Sequence, residues 1–566
     1  MAPSPQPLYC WDNALDSSQN QNLSSQYDDP FVDALSDHGI DSDFIPHFMQ
    51  GCDENETCNY TTKGVVEFCQ GTDIRGLREN ERAKTELVAL LDDGVGTSAL
   101  GLHQALVKPK NEVRKTAKRE GADASSRQPT KRSKEQYIPN LTPWTVVALA
   151  ASTPNYQVGV VGEFIFNHLR FDPLINANIQ RDHFPFFTFE FHLPCVLLRE
   201  QRLPQKDGRR LRKHHEITFL YNMGKKVDNS PTKYLYESNT SCLISGPSRY
   251  SWTGFLIKDR YFTIDDDPES IEEYIAQGQD GVMPDPFAAG KRPMGDLPCD
   301  AREHWLIAIG NSLKQVNKES WHVFTVIDEA IQTYGKNWNK MICRVSYKNG
   351  YQRVSSDTDK SRSRLREEHQ DWMRRSLEVL RKIMGILNQY SEEWKMFSDH
   401  GLNYFMSTDD ANHLNRLRRS LVDVDQQIIR LERLRNKYKH ELVCCEDMAR
   451  DFNDRIALED NESAFFQKKT ARDVKVLTWM TFLSLPFGLA FSLLSTQDGY
   501  IPMKPSLGAL IASIAVFEGV IWMILGSLLG WGCFREKVKD WLPHQLRSKK
   551  MEIEEELDIQ QIEGLT

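Results

Sequence analysis

The chain is poor in the short signatures that mark enzymes and metal centres. It has no Walker loop, no Gly-x-Gly-x-x-Gly, no His-Glu-x-x-His and no nucleophile elbow. Gly94-Val95-Gly96 lacks both a third glycine and a preceding strand pattern. No enzymatic activity and no resident cofactor are expected. Eleven cysteines are present without a Cys-x-x-Cys pair or zinc-ligand spacing, and Cys444 and Cys445 are adjacent, a poor geometry for a bridge. This argues against a disulfide framework and for reduced cytosolic thiols. His214-His215-Glu216 has no third ligand in register and reads as a local polar cluster rather than a metal site. A charged-then-apolar leader is missing and the N-terminal stretch is acidic, so neither a signal peptide nor a mitochondrial presequence is expected. Apolar runs are also scarce: 26% of residues are charged and the mean hydropathy is -0.52, values of a chain built mostly for water. The exception comes late.

Length allows two or three domains in 566 residues, and the net charge of -9 is unevenly spread. Residues 1–136 are rich in Ser, Asn, Gln and Asp and read as largely disordered, with one helix over Ile74–Leu91. Within them, 108–134 carries ten Lys or Arg against Glu112, Glu120 and Asp123. A solvated linker, an anionic-lipid contact and a nuclear-import signal are the alternatives; the last fits badly with membrane segments, and no nucleic-acid partner is expected.

Residues 137–345 read as a globular α/β domain. Phe186–Leu193 alternates in part with polar residues, as a strand does; Ile217–Tyr221, Ser251–Ile257 and Tyr261–Ile264 are further strand candidates. Trp305–Leu313 and Trp321–Tyr334 have helical spacing, and Asp265–Asp300 reads as a long Pro/Gly/Asp-rich loop. Residues 360–475 are a helical region. Its first helix covers 362–398, and Ser407-Thr408-Asp409-Asp410 supplies an N-cap for a second. There Leu414, Leu417, Leu421, Val424, Ile428 and Leu431 step by 3, 4, 3, 4, 3, a heptad seam. No proline interrupts from Ala411 to Leu485, so a long stalk helix is expected to run into the apolar region. Its seam is expected both to pack on the 362–398 helix and to contribute to assembly.

Two late segments suit a hydrocarbon core about 30 Å thick: Val476–Leu494, with no charge, and Leu507–Gly530, with Glu518 as its one acid. Lys468, Lys469, Arg472 and Lys475 precede the first, and Arg535, Lys537 and Lys539 follow the second, whereas the loop 495–506 holds only Lys504. The positive-inside rule then puts both termini, including the tail 531–566, in the cytosol and the loop outside. The expectation is a multi-pass integral membrane protein with the lipid bilayer as partner. Pro486 inside the first segment and the glycines of the second suit packed helices. Glu518 is read either as a cation or proton contact or as a protonated acid bonded to a neighbouring helix near Ser513 or Ser484.

This order of parts, together with Val476-Leu477-Thr478, Pro486 eight residues after that Thr, and the basic, aromatic exit from Arg535 to Leu542, resembles the CorA family of magnesium transporters and its zinc-transporting ZntB relatives. The resemblance covers roughly residues 365–542. It implies an α/β cytosolic domain plus a long coiled-coil-like helix leading into a two-helix C-terminal transmembrane unit. It further implies a homo-oligomer, a pentamer in the family, that passes a divalent cation such as magnesium or zinc. The family's Gly-Met-Asn signature is absent: its positions fall on Ser495, Thr496 and Gln497, with Asp498 alongside. By resemblance these four form the pore mouth, and Leu477, Leu485 and Gly488 line the pore, where apolar side chains would gate by dewetting. The replaced signature leaves a second expectation open, a non-conducting membrane-anchored scaffold that keeps the fold. Among the acids Asp409, Asp410, Asp423, Asp425 and Glu432, none matches a regulatory metal position, and they read as solvated helix surface.

Overall fold

The computed structural model describes residues 11, 15, 29–35, 44–50, 58–107, 133–181, 184–221, 232–262, 270–278, 283–294, 300–347, 356–407, 410–495 and 506–529. Within these the chain divides into two units, Met1–Arg450 and Asp451–Thr566.

The first unit is organised by a mixed sheet. Its strands are β1 (Ala89–Leu91), β2 (Gly96–Thr97), β3 (Lys134–Pro139), β4 (Leu174–Gln180), β5 (Phe186–Gln201), β6 (His214–Glu216), β7 (Thr232–Ser248) and β8 (Ser251–Lys258). The order is β2-β1-β3-β8-β7-β5-β4, with β6 on β7; β3 runs parallel to β8 and the other pairs are antiparallel. β5 and β7 pair in continuous register from Phe187 opposite Gly246 to Gln201 opposite Thr232. Both are buried almost throughout. Pro194 is tolerated in so central a strand because β4 stops pairing at His192, so its missing N–H lies past the end of that neighbour. Its carbonyl is not left bare: the Tyr390 hydroxyl donates to it at 2.8 Å.

Alternation along β5 separates the two faces of the sheet. Phe187, Phe189 and Phe191 stand on one side, where Phe189 and Phe191 pack against Trp305. Glu190 and His192 stand on the other, beside Asn167 and Phe164. That second face is covered by α1 (Cys58–Phe68), α2 (Ala99–Val107), α3 (Pro143–Ser152) and α4 (Val158–Leu169). α3 begins where it does because Thr142 accepts the N–H of Thr145 and Pro143 occupies the first turn. Its apolar run, Val146–Ala151, is buried all round.

The first face receives α5 (Ala301–Tyr347) and α6 (Ser356–His400), and α7 (Ala411–Ser495) follows. The two short helical stretches read in the sequence between Trp305 and Tyr334 are therefore one 47-residue helix. Asp410 caps α7 by accepting the N–H of Asn412 at 2.9 Å. The heptad seam packs inward: Leu417, Leu421, Val424, Ile428, Leu431 and Leu434 are at most 6% exposed within a single chain. Tyr438 meets the ring of Phe324 and donates to the carbonyl of Ser320 on α5. Part of the seam's expected role in assembly is thus taken by α5 of the same chain.

Four further expectations differ from what forms. Residues 58–107, inside the stretch read as largely disordered, fold onto the sheet, with Val65, Leu77, Leu90 and Leu102 fully buried. Their short apolar islands are too sparse to signal a core alone, but they cap one already made by β3 and α3. Ile74–Leu91 is not one helix: it breaks at Asn80, which caps the next short turn of helix, and ends in β1. Thr218–Leu220 is a 3-10 turn and Tyr261–Phe262 a turn rather than strands. Ile271–Gly278 is a helix inside the segment read as a loop. The basic stretch lies outside the described residues over 108–132.

In the second unit α7 continues through Pro486 to Ser495, and α8 (Leu507–Leu529) follows. Among the described residues no helix is long and apolar enough to cross a membrane. Described side chains in these two helices are interrupted at positions such as 482–483 and 521–522. The loop beyond Ser495 and the tail 531–566 lie outside them.

Candidate functional site

The residues expected to line a pore all fall on α7. At about 100° per residue, Leu477, Thr481, Ser484 and Gly488 share one face, and Leu485 sits roughly 80° away from Leu477. This face is the less greasy one, and its hydroxyls turn back onto their own helix: Thr481 donates to the carbonyl of Leu477 at 2.9 Å, and Ser484 to that of Thr481 at 3.2 Å. Thr478 does the same to Val474 at 2.7 Å. Hydroxyls satisfied in this way need no water. Leu477 is 68% exposed and Leu485 47%. Open space surrounds Gly488 where a Cβ would stand. Ser495 closes α7, while Thr496, Gln497 and Asp498 lie outside the described residues. Glu518 is placed by its backbone in the middle of α8, and its side chain lies outside them too. The expected mouth and the expected intramembrane acid are therefore not brought together with the α7 face by any described contact.

Further large apolar side chains among the described residues of these helices are exposed. Met480, Phe487, Leu489, Leu507, Ile511, Val516, Val520 and Met523 are 42–76% exposed. With Leu477 and Leu485, ten large apolar groups are exposed among the described residues of the two helices.

The first unit holds a feature with no counterpart in the sequence reading, a row of buried polar side chains across the sheet face under α4. Glu190 meets Nε2 of His192 at 2.5 Å, and Nδ1 of His192 meets the Ser241 hydroxyl at 2.7 Å. That hydroxyl also meets Nδ1 of His168 at 2.8 Å, and His168 faces Asp259 at 3.5 Å. Asp259 accepts from Arg212 at 2.6 Å, Arg209 at 2.9 Å and the N–H of Asn239 at 2.9 Å. Arg212 in turn donates to the carbonyls of His168 and Leu169, which end α4. Burial would raise the Asp259 carboxyl, but Arg212 and Arg209 hold it well below the usual range. Burial lowers His168 from 6.5 to about 4, against the pull of Asp259. The row is closed to solvent and pins a helix end to the sheet. Its members are spread from 168 to 259, so no local motif announces it.

His215, from the cluster set aside as a metal site, lies 2.9 Å from the Lys382 ammonium, which also pairs with Glu237. Among the described residues no group of three metal-ligating side chains occurs. Asp423 pairs with Lys314, Glu432 accepts from Ser391, and Asp425 is exposed; Asp409 lies outside the described residues.

The fold so assembled is a mixed α/β sheet domain with long helices that lead into two apolar ones. No family model matches the chain, and no curated protein matches it. Among solved structures, the CorA magnesium transporter from Methanocaldococcus jannaschii is 11% identical over 71% of this chain and 92% of that one, with a TM-score of 0.26. The full-length CmaX protein is 14% identical over 79% of this chain and 98% of that one, with a TM-score of 0.19. Both are distant likenesses.

Proposed function

We propose that the chain is an integral membrane protein of CorA-like organisation that passes a divalent cation as a homo-oligomer. The observation that carries the membrane part is the uncovered apolar surface of α7 and α8, which lipid and neighbouring copies would bury. In this reading Val476–Leu494 and Leu507–Gly530 are the spans, the termini are cytosolic and the loop 495–506 lies outside. The helix face of Leu477, Thr481, Ser484 and Gly488 turns to a shared axis, with Leu485 at its edge. Carbonyl-satisfied hydroxyls between apolar rings would make a constriction that wets and dries. Ser495, Thr496, Gln497 and Asp498 form the mouth, where the amide and hydroxyls contact water around the ion and the carboxylate raises the local cation concentration. Five copies would close the ring if the family's number holds. Magnesium and zinc are the first cations to try.

The test is metal flux into liposomes holding the purified full-length chain. Uptake of Mg²⁺, Zn²⁺, Co²⁺ or Ni²⁺ above that of protein-free vesicles is expected, and Asp498→Asn should reduce it several-fold at low ionic strength. A chain that co-floats with the vesicles but moves none of the four ions would leave the second reading, a membrane-anchored scaffold. That reading draws on the replaced signature at Ser495-Thr496-Gln497.

A further inference from the structure

A groove of about 430 Å³ lies in the first unit between α5 and α7. Its volume is that of a small-molecule site, roughly 300–1,000 Å³. α5 contributes Lys314, Lys318 and Trp321, which share one face at spacings of four and three, and α7 contributes Arg430 and Arg433. Lys314 is neutralised by Asp423. Among the described residues Lys318, Arg430 and Arg433 have no carboxylate partner. Three like charges on one groove repel one another, a cost that a bound anion removes.

The floor carries a second mark. Asn317, 5% exposed, donates its amide to the carbonyl of Gln427, yet among the described residues its own Oδ1 is buried with no hydrogen-bond partner. That oxygen is shielded from solvent, so Asn317 forms a packed polar floor tied to α7. The Gln427 side-chain oxygen is already used, accepting from Asn317 and from Arg430. The wall is aromatic: Trp321 is 37% exposed, with the Lys437 ammonium 5.4 Å from its ring centroid and Phe324 edge-on at 5.8 Å.

We propose that this groove binds a nucleoside polyphosphate. Lys318, Arg430 and Arg433 take the phosphates, the guanidinium pair matching two oxygens at a time. The base lies against Trp321. A simple inorganic anion would use the cations alone and leave the indole idle. The proposal does not depend on whether the chain conducts.

The experiment is calorimetric titration of the purified full-length chain in detergent with ATP, tripolyphosphate and adenosine as probes. ATP is expected to bind saturably, with affinity falling as salt rises. Tripolyphosphate should bind about tenfold more weakly and adenosine only marginally. The double variant Arg430→Ala/Arg433→Ala should weaken ATP at least about tenfold, and because both side chains are exposed its thermal unfolding should match wild type. Trp321→Ala should bring ATP down to the affinity of tripolyphosphate, whereas Trp321→Phe should keep most of the difference. No saturable ATP binding, undiminished binding in the folded double variant, or equal affinity of ATP and tripolyphosphate for wild type would each overturn the proposal.

Discussion

The two units handle apolar surface in opposite ways. In the first, a sheet and its helices bury Trp252, Trp305, Phe187, Phe189 and Phe191 essentially completely. Its exposed apolar groups include scattered ones such as Tyr60, Leu203 and Met396, and Val422, Ile429 and Val443 at multiples of seven along α7. In the second, successive turns of two helices expose Leu477, Met480, Leu485, Phe487 and Leu489, then Leu507, Ile511, Val516 and Val520. The contrast is sharpest within α7, one element with two fates. Its Leu417 and Val424 are fully buried within the chain, and sixty residues after Leu417 its Leu477 is not. The first unit buries its large apolar groups, and the second leaves them exposed.

The largest effect follows from that helix. Leu417→Ala removes a buried side chain and should cost about 2–5 kcal/mol, lowering the thermal midpoint of the first unit. Leu477→Ala, a change of the same chemistry in the same helix, should move that midpoint by less than about 0.5 kcal/mol equivalent. Scanning calorimetry of the detergent-solubilised variants measures both. Equal losses would mean that α7 is packed alike along its length, and the contrast would collapse. By the same placement, a polar residue at Leu417, Leu421 or Ile428 breaks the chain's own core before it can report on assembly.

The sequence carried some of this contrast and withheld the rest for identifiable reasons. The seam of α7 was legible because its period is local, but period alone cannot say which helix faces it. Here α5 does, through Phe324 and Tyr438. β8 and the start of β5 were legible from apolar density, whereas β7 was hidden by Glu237, Ser238, Asn239, Thr240 and Ser241, polar residues that read as loop. They are buried in a central strand because Asp259, Lys213 and His168 meet them from elsewhere. The fold of 58–107 depends on contacts with α3 and α4, and the groove on two helices brought together from positions more than a hundred residues apart. Only its α5 half, Lys314, Lys318 and Trp321, had a local spacing that a reader could have caught. The pore residues remain a matter of sequence, because Thr496, Gln497 and Asp498 lie outside the described residues.

A middle-sized effect separates the units by pH. His168 titrates at about 4 when folded and near 6.5 when unfolded, so between those values the unfolded chain binds the extra proton. Stability of the first unit is therefore fully present above about pH 6.5 and falls as pH drops towards 4, by on the order of 3 kcal/mol from this group. Burial lowers His103 and His369 in the same direction. Asp259 and Asp300, both held below the carboxylate range by their arginine and histidine partners against burial, add losses only at still lower pH. Urea midpoints of the first unit's transition between pH 7 and 4.5 should decline, and His168→Gln should flatten the decline while lowering the midpoint at pH 7. A slope unchanged in that variant would remove His168 from the account.

The smallest effect tests how little of the first unit's coherence is electrostatic. Arg381 on α6 reaches Glu446 on α7 at 2.9 Å, with the two side chains 60% and 39% exposed. Water screens such a pair, and fixing two long side chains offsets most of the Coulomb gain, so a coupling of about 0.2–1 kcal/mol is expected. The measurement is a double-mutant cycle with Arg381→Ala and Glu446→Ala, read by urea unfolding at low and high salt. The coupling should shrink in 1 M salt, where the Debye length falls to about 3 Å. A coupling above about 2 kcal/mol that survives salt would mean that the α6–α7 pairing depends on this bridge. It would then not rest chiefly on buried apolar groups, and the division between a unit held by its own burial and one that is not would need a second term.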